Sequence, residues 1–234
     1  MGRGRVSRSR LTPGLLVPLL TVMALALGGC GAAGKASSKG ALEQDPHHHY
    51  RWANEQFRQG HYQEALESIN KAIALDPDQY AYYNMRGLIY LSAGDLDQAL
   101  ANFRKVLVIN PYLTDVHNNI GVALGELGRR DEAMSEFQSV LRDPGYKHRE
   151  KALYNVGNLF YAQGDYREAV EQYRKAVAVQ PEYLKAYYKM GLALQTLGQM
   201  DEARRAFEEV VRIDPNSKEA REVKFIINSG HPAS

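Results

Sequence analysis

Two patterns of apolar and polar positions divide the chain. Near its start, Leu15–Leu27 is largely apolar, and no charged residue occurs between Leu11 and Gly34. From about residue 46 the pattern changes. Large apolar residues recur every three or four positions with charged residues between them, which predicts amphipathic helices. Glycine and proline cut this pattern at regular points. Gly60, Gly94, Gly128, Gly164 and Gly198 stand at one set of breaks. Pro77, Pro111, Pro144, Pro181 and Pro215 stand at the other.

The helical part is self-similar. Ala53, Gly87, Gly121, Gly157 and Gly191 follow one another at spacings of 34, 34, 36 and 34 residues. Ala65, Ala99, Ala133, Ala169 and Ala203 form a parallel series. Four residues after each comes Ile69, Phe103, Phe137, Tyr173 or Phe207. Each unit reads as two helices. The small residue midway along the first lets the second approach closely, and the glycine at the turn supplies the left-handed conformation that ends the first. Asp95 and Asp165 follow that glycine and are expected to cap the second helix. The units run 46–79, 80–113, 114–149, 150–183 and 184–217. The third is two residues longer, because its second helix stops early at Asp143-Pro144-Gly145. Residues 218–234 read as a capping helix and tail, with Ala220, Val223 and Ile227 facing inward and Lys, Arg and Glu facing solvent.

A 34-residue period carrying Tyr83, Gly87, Tyr90, Ala99, Phe103 and Pro111 in its second copy resembles the tetratricopeptide repeat family. The resemblance implies an all-α fold: a right-handed superhelical solenoid of five tetratricopeptide helix pairs plus a C-terminal capping helix. It also implies where a ligand would lie, since that family binds along a concave groove lined by fixed positions of the first helices. Mapped onto this chain, the positions are Ala81, Asn84, Leu88 and Leu91, then Asp115, Asn118, Val122 and Gly125. The fourth unit gives Lys151, Tyr154, Asn158 and Tyr161, and the fifth gives Lys185, Tyr188, Leu192 and Gln195. A tyrosine here either offers contact area to a ligand or packs between neighbouring first helices. Lys151 and Lys185 with Asn155 and Asn158 are only fragments of the family's clamp for a terminal carboxylate. The expected ligand is an extended or helical peptide with apolar side chains.

Charge sharpens the reading of the start. Arg3, Arg5, Arg8 and Arg10 precede the apolar run, and residues 1–29 hold no acid. The remainder holds 25 basic against 27 acidic residues, which gives no electrostatic case for nucleic acid. A basic start, an apolar middle and the small residues around Cys30 follow the order of a secretory signal. Leu27-Gly28-Gly29-Cys30 resembles the lipobox of bacterial lipoproteins, and Cys30 is the only cysteine. The resemblance implies a signal peptide over 1–29 and a covalent lipid on Cys30, with residues 30–46 as a lipidated N-terminus and flexible linker. Gly31 in place of Asp implies an outer-membrane location facing the periplasm. The alternative is an uncleaved anchor helix; both export the rest of the chain.

Little in the sequence points to catalysis. No nucleophile motif, phosphate loop or metal signature is present, and His117 and His148 stand apart. His47-His48-His49 could catch a transition metal, yet it lacks companion ligands and reads as a polar entry to the first helix. Acidic residues such as Glu168 are expected to pair with basic ones such as Lys175 on outer faces. No enzyme activity, cofactor or metal is expected. The segment around Asp143, Pro144 and Tyr146 resembles a "DP-x-Y" interruption of the type IV pilus biogenesis and stability lipoproteins. That implies an envelope scaffold whose partner is a secretin or another pilus-assembly component. The alternatives are a general adaptor for cell-wall or other assembly complexes and, in a different class, a small-ligand-binding lipoprotein.

Overall fold

The computed structural model describes residues 42–229. The basic leader, Cys30 and the linker as far as residue 41 lie outside the described residues. From Pro46 onward the described residues form eleven helices, and no strand occurs among them. Five pairs come first: α1 (Pro46–Arg58) with α2 (Tyr62–Leu75), α3 (Tyr80–Ala93) with α4 (Leu96–Ile109), and α5 (Thr114–Glu126) with α6 (Arg130–Arg142). Next come α7 (Arg149–Tyr161) with α8 (Tyr166–Val179) and α9 (Leu184–Thr196) with α10 (Met200–Ile213). The last helix, α11 (Lys218–Ser229), stands alone.

The turn within each pair depends on glycine. Gly94 ends α3 at φ 83°, a left-handed conformation that costs a side-chain-bearing residue about 1 kcal/mol or more. Its N–H reaches Leu91 O at 3.2 Å, and the N–H of Asp95 reaches Tyr90 O at 2.9 Å, so two carbonyls at the helix end are satisfied. Asp95 then caps α4 by accepting from the Gln98 N–H at 3.3 Å. Asp165 holds the same place before α8 but makes no such bond, so it acts on that helix only through the dipole.

Close approach of the paired helices rests on the other glycine series. A Cβ on Gly87 would fall 2.5 Å from the Phe103 ring, and one on Gly121 would fall 2.6 Å from that of Phe137. The rings themselves are buried with Ile69, Tyr173, Val106, Val140 and Val210, each contributing on the order of 2 kcal/mol by leaving water. Successive first helices (α1, α3, α5, α7, α9) touch one another, whereas successive second helices stand further apart. The stack therefore bends with its first helices on the inner side.

The third pair departs from the others in a way that serves packing. Asp143, just past α6, accepts from the Gly145 N–H at 2.8 Å and from Thr114 Oγ1 at 2.6 Å. These bonds, Thr114 first, hold its carboxyl below the usual range. Arg149 donates to Leu141 O at 2.8 Å. Tyr146 turns inward and packs with Val140 and Ala152. The two extra residues thus form a tied plug.

Two details at the ends and one on α8 differ from expectation. The linker expected to reach residue 46 is already engaged before it: Asp45 caps α1 through the His47 N–H at 2.9 Å, and His49 Nε2 donates to Glu43 O at 3.0 Å. α11 buries Ala220 and Val223, but its outer face is not wholly polar, because Phe225 is 76% exposed. Lys175 pairs with Glu171 at 2.7 Å, not with Glu168; seven residues is two full turns, further than the side chains reach. Among the described residues, no helix is long and apolar enough to cross a membrane.

Candidate ligand groove

The inner face is built from one stripe of each first helix, because residues three and four apart share a helix face. Its two halves differ. Leu88 and Leu91 on α3 and Val122 on α5 are partly buried and pack against the central core, leaving an aliphatic floor. On α7 and α9 the stripe is tyrosine and lysine. Tyr154, Tyr161, Tyr188 and Leu192 pack against the C-terminal core, while Lys151 and Lys185 are exposed and form no ion pair. Some charges elsewhere pair, as in Arg129–Glu132 at 2.7 Å and Arg174–Glu202.

Several residues of the stripe are committed to the fold. Tyr154 lies 5.8 Å from Tyr173 and 5.4 Å from Tyr183, ring to ring, and burial pushes its hydroxyl's pKa up. Asn158 accepts from the Tyr173 hydroxyl at 2.9 Å. Tyr188 donates to Glu222 Oε2 at 2.5 Å, so α11 reaches the groove as well as closing the stack. Tyr161 meets Tyr166 edge-on at 5.1 Å, and Lys189 lies 5.2 Å from its ring centre. Lys189 and Glu222 are neighbours that the mapped positions omit. Glu222 lies one 34-residue period after Tyr188, so the period itself could have found it.

The amides of the groove are unevenly satisfied. Asn118 is buried and accepts from Asn155 Nδ2 at 3.0 Å, a bond between neighbouring first helices. Asn84 holds the equivalent position on α3, and its Oδ1 is buried with no hydrogen-bond partner. Between α5 and α7 the groove opens into a notch of about 240 Å³ lined chiefly by Val122, Gly125, Leu159, Ala162, Asn155 and Asn158. Gly125 has no side chain to fill it, and no residue of a neighbouring helix does so instead.

The histidines find local partners. His117 donates to Glu136 at 2.7 Å, and His148 lies 3.5 Å from the buried Glu150, so neither stands alone. His47 is hydrogen-bonded to the Tyr82 hydroxyl at 3.1 Å, and His49 separately to Glu43 O at 3.0 Å. Among the described residues, no group of three or more His, Cys, Asp or Glu is placed to hold a metal ion. The chemistry of this face is recognition: apolar contact, amide hydrogen bonds and unpaired ammonium groups.

Repeat architecture and groove together define the class, and sequence comparison agrees. Tetratricopeptide repeat models match residues 50–113, and 114–142 with 184–217; a TPR repeat model matches 157–198. The chain is a tetratricopeptide repeat protein, a class of generally non-enzymatic scaffolds for protein–protein interaction. Among solved structures it is similar to PilW, a widely conserved type IV pilus biogenesis factor, at 25% identity and a TM-score of 0.64. That match covers 81% of this chain and 94% of PilW. PilF of Pseudomonas aeruginosa shares the fold at 17% identity and a TM-score of 0.61, over 86% and 95% of the two chains. So does YrrB, a TPR protein with an unusual peptide-binding site, at 20% identity and a TM-score of 0.50, over 84% and 99%. A curated relative, the heat shock protein sti1 homolog of Schizosaccharomyces pombe, is 34% identical over 74 residues. The match covers 31% of this chain and only 12% of that protein.

Proposed function

We propose that this protein is an exported, lipid-tethered adaptor that holds a segment of an envelope partner in its groove, and that the partner belongs to the type IV pilus assembly machinery, a secretin or a component that works with it. The observation that carries the binding role is the inner face itself. It gathers partly exposed aliphatic and tyrosine side chains with two unpaired lysines, Lys151 and Lys185. Apolar area with a few convergent polar groups is what peptide recognition requires. The notch of about 240 Å³ is smaller than the ~300–1,000 Å³ of a small-molecule site, so within the groove it suits one side chain better than a small ligand.

The envelope setting is supported by the leader, in which four arginines and an apolar run precede Cys30. A lipid there contributes about 0.8 kcal/mol per buried methylene, and more than one chain gives a stable tether. The pilus assignment is supported by the likeness to PilW over 94% of that chain.

Affinity capture of the detergent-solubilised protein from its own cells tests the proposal. Recovery of a secretin or pilus-assembly component, lost when Lys151 and Lys185 are both changed to Glu, is expected. Recovery of cell-wall enzymes alone would replace the pilus reading with that of a general envelope adaptor. Cys30→Ala is expected to move the protein from the membrane to the soluble fraction; retention would favour an uncleaved anchor.

A further inference from the structure

We infer that the notch between α5 and α7 is a side-chain pocket for one aliphatic residue of an extended peptide, with an acidic residue of that peptide lying toward Lys151 and Lys185. This rests on the groove reading above and makes it specific.

Three observations converge. The first is the notch. Its apolar lining is Val122, Phe137, Leu159 and Ala162, with Gly121 and Gly125. Gly125 is not required by packing: a Cβ there would meet Leu159 Cδ1 at 3.4 Å and Ala133 Cβ at 3.9 Å, ordinary contact distances. Gly121, one turn earlier on α5, has no such room. A glycine inside a helix is less stable than alanine by about 1 kcal/mol. At Gly125 that cost leaves an open, mainly apolar space instead of a closer helix contact.

The second is the amide pair. One hydrogen bond joins Asn155 Nδ2 to Asn118 Oδ1, and no other bond is made by either side-chain amide. Asn118 Nδ2 and Asn155 Oδ1 are left, a donor group and an acceptor group on the two helices that this bond joins. Turning both amides over leaves the same complement. A residue of an extended chain presents one N–H and one C=O to the same side, whereas those of a helix are already spent within it. The pair therefore selects an extended occupant. Because Asn155 also lines the notch, the recognised peptide group belongs to the residue whose side chain enters, or to its neighbour.

The third is charge. Lys151 and Lys185 are exposed on first helices of neighbouring pairs and have no ion-pair partner. An acidic side chain flanking the aliphatic one complements them. Glu126 at the lip of the notch supplies the competing possibility, a lysine whose stem fills the space and whose ammonium meets that carboxylate.

The test uses the full chain. Peptides are selected on it from a random-sequence phage library, synthesised, and titrated by fluorescence anisotropy against wild type and the Gly125→Leu, Lys151→Glu and Leu192→Glu variants. The selected peptides are expected to share one aliphatic residue near an acid. Gly125→Leu is expected to weaken them about tenfold or more while leaving the melting temperature unchanged or raised. Replacing the aliphatic residue by serine should weaken wild type equally and add nothing to Gly125→Leu. Peptides that respond to Lys151→Glu or Leu192→Glu but not to Gly125→Leu would keep the groove and overturn the notch. Peptides that require lysine in place of the aliphatic residue, or become helical when bound, would overturn the proposal too. Peptides indifferent to all three variants, or none selected, would overturn both readings.

Discussion

At the scale of the residue, two glycines on α5 illustrate how one residue type serves two ends. A Cβ at Gly121 would press against the Phe137 ring, whereas one at Gly125 would meet Leu159 and Ala133 at ordinary contact distances. Gly121→Ala is expected to destabilise by about 1–3 kcal/mol through overpacking, even though alanine is the better helix former. Gly125→Ala is expected to be neutral or to stabilise by up to about 1 kcal/mol. Thermal denaturation of the two variants side by side checks this. A second prediction concerns Tyr154, whose ring lies between Tyr173 and Tyr183. Tyr154→Ala is expected to cost roughly 3 kcal/mol in urea denaturation, and Tyr154→Phe far less. Loss of partner capture in Tyr154→Ala would therefore report folding as much as contact. The pressed glycines were legible in the sequence because their periodic spacing has a single geometric use. The role of Tyr154 was not, because periodicity gives a residue's bearing around its helix but not which side chain of the next helix fills the space in front of it. Asn118 is the same case: its position was readable, but its bond to Asn155 was not.

At the scale of the element, the interruption after α6 was readable as an insertion from the 36-residue spacing, and its place from Asp143-Pro144-Gly145. Its use is not readable from the spacing. In the structure Tyr146 packs beside Val140 and Ala152, and Asp143 ties the loop to Thr114. The Asp143 carboxyl has a lowered pKa in the folded protein, so folding favours its charged form. Its contribution to stability is therefore whole above the ordinary carboxylate range and is lost as pH falls through the lowered value. Asp143→Asn removes that dependence. The stability difference between wild type and this variant is expected to be largest near neutral pH and to shrink in acid, which urea denaturation across pH measures. A difference that grew in acid would contradict the bonding described.

At the scale of the molecule, the array is a one-dimensional stack in which each pair leans on its neighbours, so its last helix matters more than its length suggests. α11 covers the end of the C-terminal core, where Val210 and Val223 are buried together, and it holds Tyr188 through Glu222. Deleting α11 is expected to lower the melting temperature, whereas Phe225→Ser on its exposed face should change stability by less than about 0.5 kcal/mol. Phe225 lies 34 residues after Gly191, in the place where every inner pair carries a glycine. A second helix could not pack on α11 as it does elsewhere. That stop was present in the period, and only the structure showed its phenyl ring exposed. The overall architecture was legible because five copies of one pattern reinforce one another. The groove was legible as a surface but not in its energetics, because its side chains are shared among three neighbouring helices.

The central claim is that the inner face, and no other, holds a partner segment. Site-specific photo-crosslinking in the protein's own cells tests it most directly, with a benzophenone amino acid placed in turn at Leu88, Val122 and Leu192 in the groove and at Lys105 and Arg174 on exposed faces of the second helices. The account predicts one discrete crosslinked partner from the groove positions and none from the outer ones. Crosslinks from Lys105 or Arg174, with none from Val122 or Leu192, would contradict it.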